Sequence, residues 1–258
     1  MIKLLAYILA YLLRLRFFFR KFNIGYSRTD LVLDIGSGND PHPRADILLD
    51  FKFSDLDRPF KLVMNGRPFL IGNVEALPFK DKAIDFIICS HVLEHIDNPS
   101  KAVEEIVRIG KRGYIEAPSE YIQKLYDVPT HKWFIKQEGN KLIFRRKKKP
   151  FYDVDLTLAL FKLWNEKNPY HRIWSYAFEE GLIKYSWRDR IDYEVFDLPE
   201  AEIDKKCFEG AIKYSIDIPH PTDTGIRVYI KKIIKYYYSL TTSRKRRLKR
   251  LSYVLSKR

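Results

Sequence analysis

In this chain of 258 residues the residues best suited to chemistry stand at the end of an apolar run, Leu31-Val32-Leu33-Asp34-Ile35-Gly36-Ser37-Gly38-Asn39. Glycines at 36 and 38 tolerate positive φ and carry no Cβ, so backbone there can close on a flat ligand. Asp34 can accept hydrogen bonds from loop amides or from a cationic group. A turn of this composition after a strand suits a nucleoside-bearing cofactor. Dinucleotide enzymes use similar turns, and a plain tight turn needs the same residues.

The elements that would position such a turn follow in order. Ala45-Asp46-Ile47-Leu48-Leu49-Asp50 predicts a short buried strand ending on a carboxylate, the place where an open α/β sheet holds a ribose through its two hydroxyls. Asp50 is therefore the expected ribose ligand. Phe69-Leu70-Ile71-Gly72 predicts a third strand, and Asn73-Val74-Glu75-Ala76-Leu77-Pro78-Phe79 beyond it offers polar and apolar edges to an adenine. Asp85 to Ser90 predicts a fourth strand, running into His91-Val92-Leu93-Glu94-His95.

Taken in this order, the segments resemble the class I S-adenosylmethionine-dependent methyltransferases, in particular the small-molecule, methyltransferase type 11-like branch, over about residues 30 to 120. The resemblance implies an α/β fold with a Rossmann-like, mostly parallel seven-stranded sheet and helices on both faces. It implies S-adenosyl-L-methionine as cofactor, held by Asp34, Gly36, Ser37, Gly38, Asp50, Asn73, Val74 and Glu75. Glu94 and His95 match the Leu-Glu-His of the family, which implies a structural place or a border of the cofactor cleft, and no chemistry is assigned to them. One departure is physical. Only Asn39-Asp40-Pro41-His42-Pro43-Arg44 separate Gly38 from Ala45, too few residues and too many prolines for the usual crossover helix. Either a single turn makes the crossing or strand two starts later, and His42 and Arg44 either line the cofactor mouth or face solvent.

Downstream, Pro99 to Ile109 predicts a helix capped by Asn98, with proline at its first position and Gly110 at its end. Arg112 to Glu116 predicts strand five, and Ala117-Pro118-Ser119 leave its carboxyl end, where an acceptor should arrive. A short helix over Ser119 to Asp127 and a hairpin of His131–Ile135 with Lys141–Arg145 about Gly139-Asn140 come next. His131 is the candidate catalytic base and Trp133 a wall of the acceptor pocket, with His91 and Glu116 as further substrate-side candidates. A structural histidine beside a buried tryptophan is the competing reading. Beyond residue 150, Val154 to Lys167 reads as a helix, and Tyr193–Phe196 and Ala211–Ile218 as closing antiparallel strands. Trp164, Trp174 and Trp187 read either as a substrate-side cover or as core.

A chain with 46% hydrophobic residues can bury one substantial core. The expected division is residues 1–24 as an interfacial helix, 25–222 as the catalytic domain and 223–258 as a basic amphipathic tail. Cys89 and Cys207 provide no disulfide framework and no metal-ligand cluster, which fits a reducing, cytosolic compartment. Of the net charge of +14, residues 1–29 supply +6 and residues 224–258 supply +12, which leaves the middle at −4.

The apolar run from Leu4 to Leu13 is ten residues long, short of the ~20 that span a bilayer. Leu4, Ile8, Leu12, Leu15, Phe19 and Phe22 share one uncharged helix face, as expected of a helix lying in a membrane interface or packing as a lid. The tail interleaves Ile226, Tyr229, Ile230, Ile233, Leu248 and Leu251 with lysine and arginine, which suits anionic lipid and also nucleic acid. The expectation is a peripheral protein at the cytoplasmic membrane face, methylating a small or lipid-linked acceptor. A nucleic-acid methyltransferase and a non-catalytic cofactor-binding partner protein are the alternatives. A sulfonium methyl is already electrophilic, so alignment with the acceptor, rather than a triad or a metal, is the main chemical demand.

Overall fold

The computed structural model describes residues 23–51, 62–125, 128, 130–150, 181–207 and 254–255. Nine strands and two helices of this fold matter here. They are β1 (Val32–Ile35), β2 (Ile47–Asp50), β3 (Phe69–Ile71), β4 (Phe86–Ser90), α1 (Pro99–Ile109), β5 (Arg112–Pro118), α2 (Glu120–Leu125), β6 (Trp133–Glu138), β7 (Lys141–Arg146), β8 (Leu182–Arg188) and β9 (Asp192–Phe196).

The main sheet runs β3-β2-β1-β4-β5-β8. Its first five strands are parallel, and β8 closes antiparallel on β5 with Gly113 opposite Trp187. Strands β1 and β2 are buried at every position, as parallel strands covered on both faces must be. Their period of two then splits the apolar residues. Leu33, Ile35, Leu49, Ile87 and Ile115 face Ala102, Val103 and Ile106 of α1, whereas Val32, Leu48, Phe86, Ile88 and Tyr114 form a second cluster with Ile24. Helix α1 begins as its sequence predicts: the Asn98 side chain accepts from the Lys101 amide at 3.0 Å, Pro99 opens the first turn, and the Gly110 amide donates to Ile106 O.

The crossover from β1 to β2 contains no helix. Its polar groups are satisfied by side chains that the sequence reading left to solvent or to a cofactor mouth. Asp34 Oδ2 accepts from the His42 amide at 2.7 Å. The buried Arg44 guanidinium pairs with Asp46 at 2.8 Å and donates to the carbonyls of Arg28 and Asp30. Arg67 reaches in from the other side to the carbonyls of His42 and Ala45. Two guanidiniums thus do for this loop what ladder hydrogen bonds do for a helix, because buried carbonyls must find donors. His42 and Arg44 are buried crossover supports and do not face solvent.

Two other expectations change. The main sheet has six strands among the described residues. Tyr193–Phe196 is indeed a strand, but β9 pairs parallel with β7 in a separate sheet, β6-β7-β9. The closing antiparallel strand of the main sheet is β8, whose strict alternation of buried and half-buried or exposed residues was present in the sequence and not read. The β6–β7 hairpin matches expectation, with Gly139 at φ +57° in its turn, and Trp187 is buried core. The helix over Val154–Lys167, the strand over Ala211–Ile218, Trp164, Trp174, the helix over residues 1–22 and most of the tail lie outside the described residues. Two tail positions are described: Val254 is buried in the main core and its carbonyl accepts from the Lys80 amide at 2.9 Å, while Leu255 bridges to Phe79.

Candidate functional site

Gly36 and Gly38 both adopt positive φ, +71° and +48°, and the turn they make is stitched to the end of β2. The amides of Gly36 and Ser37 donate to Leu49 O, and that of Gly38 donates to Asp50 Oδ2 at 2.9 Å. Asp50 Oδ1 accepts from the Phe51 amide at 2.7 Å, so the carboxylate is fixed at the carboxyl end of its strand. The Ser37 hydroxyl is buried with no hydrogen-bond partner in the protein, a polar group left for a polar ligand. Phe51 and Ile71 are 60% and 58% exposed, one directly after Asp50 and the other opposite it in register. A fixed carboxylate flanked by exposed apolar side chains and a Cβ-free turn fits a nucleoside, polar at its ribose and flat at its base. Phe51 and Ile71 escaped the sequence reading because apolar residues at strand ends look like core.

The other predicted cofactor residues divide. Asp34 braces the crossover, as described above. Asn73 Oδ1 accepts from the Glu75 amide at 3.0 Å, shaping the turn after β3. Val74 is buried in the main core, so its side chain is not an edge for an adenine. Glu75 Oε1 accepts from the amides of Asp97 and Asn98 at 2.8 and 3.0 Å, tying this turn to the start of α1.

At the end of β4 the chain turns through His91, a non-glycine residue at φ +56°. Such conformations cost energy and persist where the surroundings impose them, often at functional sites. Val92 lies directly over the glycine turn, its Cγ2 2.2 Å from where a Gly36 Cβ would stand. The His91 ring, half exposed, sits between two carboxylates: Nδ1 is 3.3 Å from Glu94 Oε1 and Nε2 is 3.7 Å from Glu116 Oε1. Glu116 is buried, receives the Tyr114 hydroxyl at 2.8 Å, and lies 3.3 Å from the Ser90 hydroxyl.

Glu94 is fully buried, and its carboxylate oxygens have no aligned hydrogen-bond donor. Burial alone would raise its pKa, but the approach of His91 and the positive charge that His95, His131 and His91 can carry outweigh it and hold the carboxyl at about 2. Burial in turn pushes His95 down and His131 well down, more than the Glu94 charge lifts them, so both rings are neutral at pH 7. The side chains of His95 and His131 meet edge to face at 4.6 Å.

This arrangement corrects the acceptor-side expectations. His131 is buried, whereas a general base must reach the proton it takes; His91 is the exposed imidazole beside the glycine turn. Trp133 is fully buried, its Nε1 donating to Ile96 O at 2.8 Å and Arg146 lying 4.9 Å over its ring. It is core, not a pocket wall. Past the end of β5, an open groove of about 640 Å³ is lined by Ser119, Tyr121, Lys124, Lys136, Arg145 and Leu182 among others. Lys124 and Arg145 both contact Glu120 there, so cations outnumber carboxylates on its wall.

Residues 50–115 match a family model described as a methyltransferase domain. An uncharacterized protein of Methanocaldococcus jannaschii is 32% identical over 108 residues, covering 38% of this chain and 52% of that protein. A demethylmenaquinone methyltransferase of Renibacterium salmoninarum is 35% identical over 92 residues, 32% of this chain and 37% of that protein. The chain thus spans about half or less of the curated relatives it matches. Among solved structures, it is similar to the methyltransferase in a complex with the Trm112 activator of Haloferax volcanii, at 14% identity and a TM-score of 0.41 over 66% of this chain and 87% of that one. The matched residues run from the carboxyl end of β2 through β3, β4 and α1 into β5, and it is this segment that is similar to a methyltransferase domain, with the glycine turn that closes on Asp50 just ahead of it.

Proposed function

We propose that the chain is an active methyltransferase in which His91 takes a proton from the acceptor, and that it works on a small or lipid-linked acceptor at a membrane face. The observation that carries the first part is the place of His91: half exposed, in a strained conformation, held between Glu94 and Glu116, and joined through Val92 to the glycine turn. S-adenosyl-L-methionine, when bound, supplies an electrophilic methyl group. Asp50 and the turn from Gly36 to Gly38 would hold its nucleoside end, with Phe51 and Ile71 against the base. The chain's own task is to bring an acceptor oxygen or nitrogen in from the side of the β5 exit, with His91 within reach of its proton and the carboxylates fixing the ring.

The acceptor class rests on different support. The positive excess is concentrated in residues 1–29 and 224–258, one end of which is strongly apolar, and this combination suits anionic lipid better than nucleic acid. No helix among the described residues is long and apolar enough to cross a membrane. The name of one relative makes demethylmenaquinone its acceptor. The test combines two measurements. Labelled S-adenosyl-L-methionine offered with total lipid extract should yield a labelled lipid, and His91→Ala should lower turnover while leaving cofactor affinity nearly intact. Sedimentation with anionic vesicles should carry the protein down, and high salt should weaken that binding. Label appearing in RNA alone, or sedimentation that ignores anionic lipid and is lost to RNA competitor, refutes the lipid reading; an unchanged turnover in His91→Ala refutes the role of His91.

A further inference from the structure

Glu94, His95 and His131 bring one donor atom each to within 4.8 Å of the other two. Two of these residues are consecutive on the loop after β4 and the third precedes β6, so only the fold brings them together; three of the six histidines of the chain, counting His91, converge on Glu94. We infer that Glu94, His95 and His131 form a binding site for a divalent transition-metal ion of the zinc class, with Glu94 and the two imidazoles as ligands and the remaining position open toward His91. The inference is independent of methyl transfer.

Several features carry it. The Nε2 atoms of His95 and His131 are each 4.0 Å from Glu94 Oε1, while ligands on a tetrahedral zinc, with bonds of about 2.0–2.2 Å, stand roughly 3.4 Å apart. Small side-chain rotations close that difference. His95 Nδ1 is 3.2 Å from Thr130 O, the supporting bond to a carbonyl that turns the other nitrogen of a metal-bound imidazole inward. Glu94 is a fully buried carboxylate whose two oxygens lack an aligned hydrogen-bond donor, His91 Nδ1 standing 3.3 Å away, and His131 Nδ1 is buried without a hydrogen-bond partner. A buried carboxylate left in that state is costly, and a cation bound to it removes the cost. Two nitrogens and one carboxylate favour zinc, iron, cobalt or manganese over magnesium and calcium, which prefer all-oxygen shells. Lys147 works against the site: it is buried, lies 4.6 Å over the Phe134 ring, and its charge acts on both histidines. An ion here is therefore expected to need the anionic Glu94 and not the histidines alone.

The test uses the full chain, stripped with chelator, in a Cys207→Ser background that removes the exposed thiol. Zinc is titrated calorimetrically and cobalt(II) by its visible absorption. One equivalent per chain is expected, with cobalt bands that report nitrogen and oxygen ligands. His95→Gln and His131→Gln should abolish those bands and weaken zinc by more than the ~10–100-fold that loss of a merely supporting residue causes, with circular dichroism unchanged. A stripped parent that takes up no stoichiometric ion overturns the proposal, as does either folded variant that keeps the parent's cobalt spectrum. Calorimetry of S-adenosyl-L-methionine on the same stripped chain separates the two readings: cofactor binding beside a failed metal titration leaves the methyltransferase reading standing while the ion site falls, and a bound ion without cofactor binding does the reverse.

Discussion

Replacing Gly36 with alanine tests whether the glycine turn is required by backbone shape and by close packing at once. At φ +71° an L side chain is strained by roughly 1–2 kcal/mol. The new Cβ would also meet Val92 Cγ2 at 2.2 Å, with Val92 Cβ at 3.6 Å behind it. Valine has one torsion with which to evade it, so the overpacking is expected to add about 1–3 kcal/mol. Gly36→Ala should therefore lower stability by about 2–5 kcal/mol, measured by urea denaturation. The two parts separate in a double-mutant cycle. Val92→Ala alone removes contacts from a half-buried side chain and should cost about 1 kcal/mol, but combined with Gly36→Ala it should relieve the clash and leave the φ strain. The double variant should thus be about 1–3 kcal/mol more stable than the sum of the single changes predicts. Gly36→Ala within about 1 kcal/mol of the parent, or strict additivity in the cycle, would show that Val92 does not hold the His91 loop against the glycine turn. The link from the turn to His91 would then fail with it.

Asp50→Asn should weaken S-adenosyl-L-methionine in calorimetry by roughly 10–150-fold, the equivalent of about 1.5–3 kcal/mol for a hydrogen bond to a charged group; parental affinity would remove Asp50 from the site. Val254→Ala should lower stability by about 1–2 kcal/mol in the same urea assay, because Val254 is buried against the main core. No loss would mean that this end of the chain does not pack beside Phe79 and Lys80.

What the sequence disclosed, and what it hid, follows from the range of each interaction. The helix over Pro99–Ile109 was legible because its boundaries are set by neighbours, Asn98 at one end and Gly110 at the other. The hairpin about Gly139-Asn140 was legible for the same reason. The carboxylate at the end of β2 was legible because an apolar run ending on aspartate has few other uses. The swap of β8 and β9 was not, since either alternating strand could close the main sheet, and only the pairing of Trp187 opposite Gly113 decides between them. His42 and Arg44 were misplaced because a charged loop reads as solvent-facing unless the carbonyls it must satisfy are known.

The site residues obey the same logic, and the histidines show its limit. His131 and His91 are the same side chain in sequence, one just before β6 and the other at the carboxyl end of β4, and both read as acceptor-side candidates. Burial separates them: His131 is enclosed with Glu94 and His95, while His91 stays half open beside the glycine turn. That division depends on Val92 packing over Gly36 and on Glu94 lying under three imidazoles, contacts between segments that no local spacing encodes. A base must meet solvent or substrate, whereas a ligand is best enclosed and neutral. Two neighbouring imidazoles that share one carboxylate are thereby suited to different tasks, His91 toward an acceptor and His131 toward an ion.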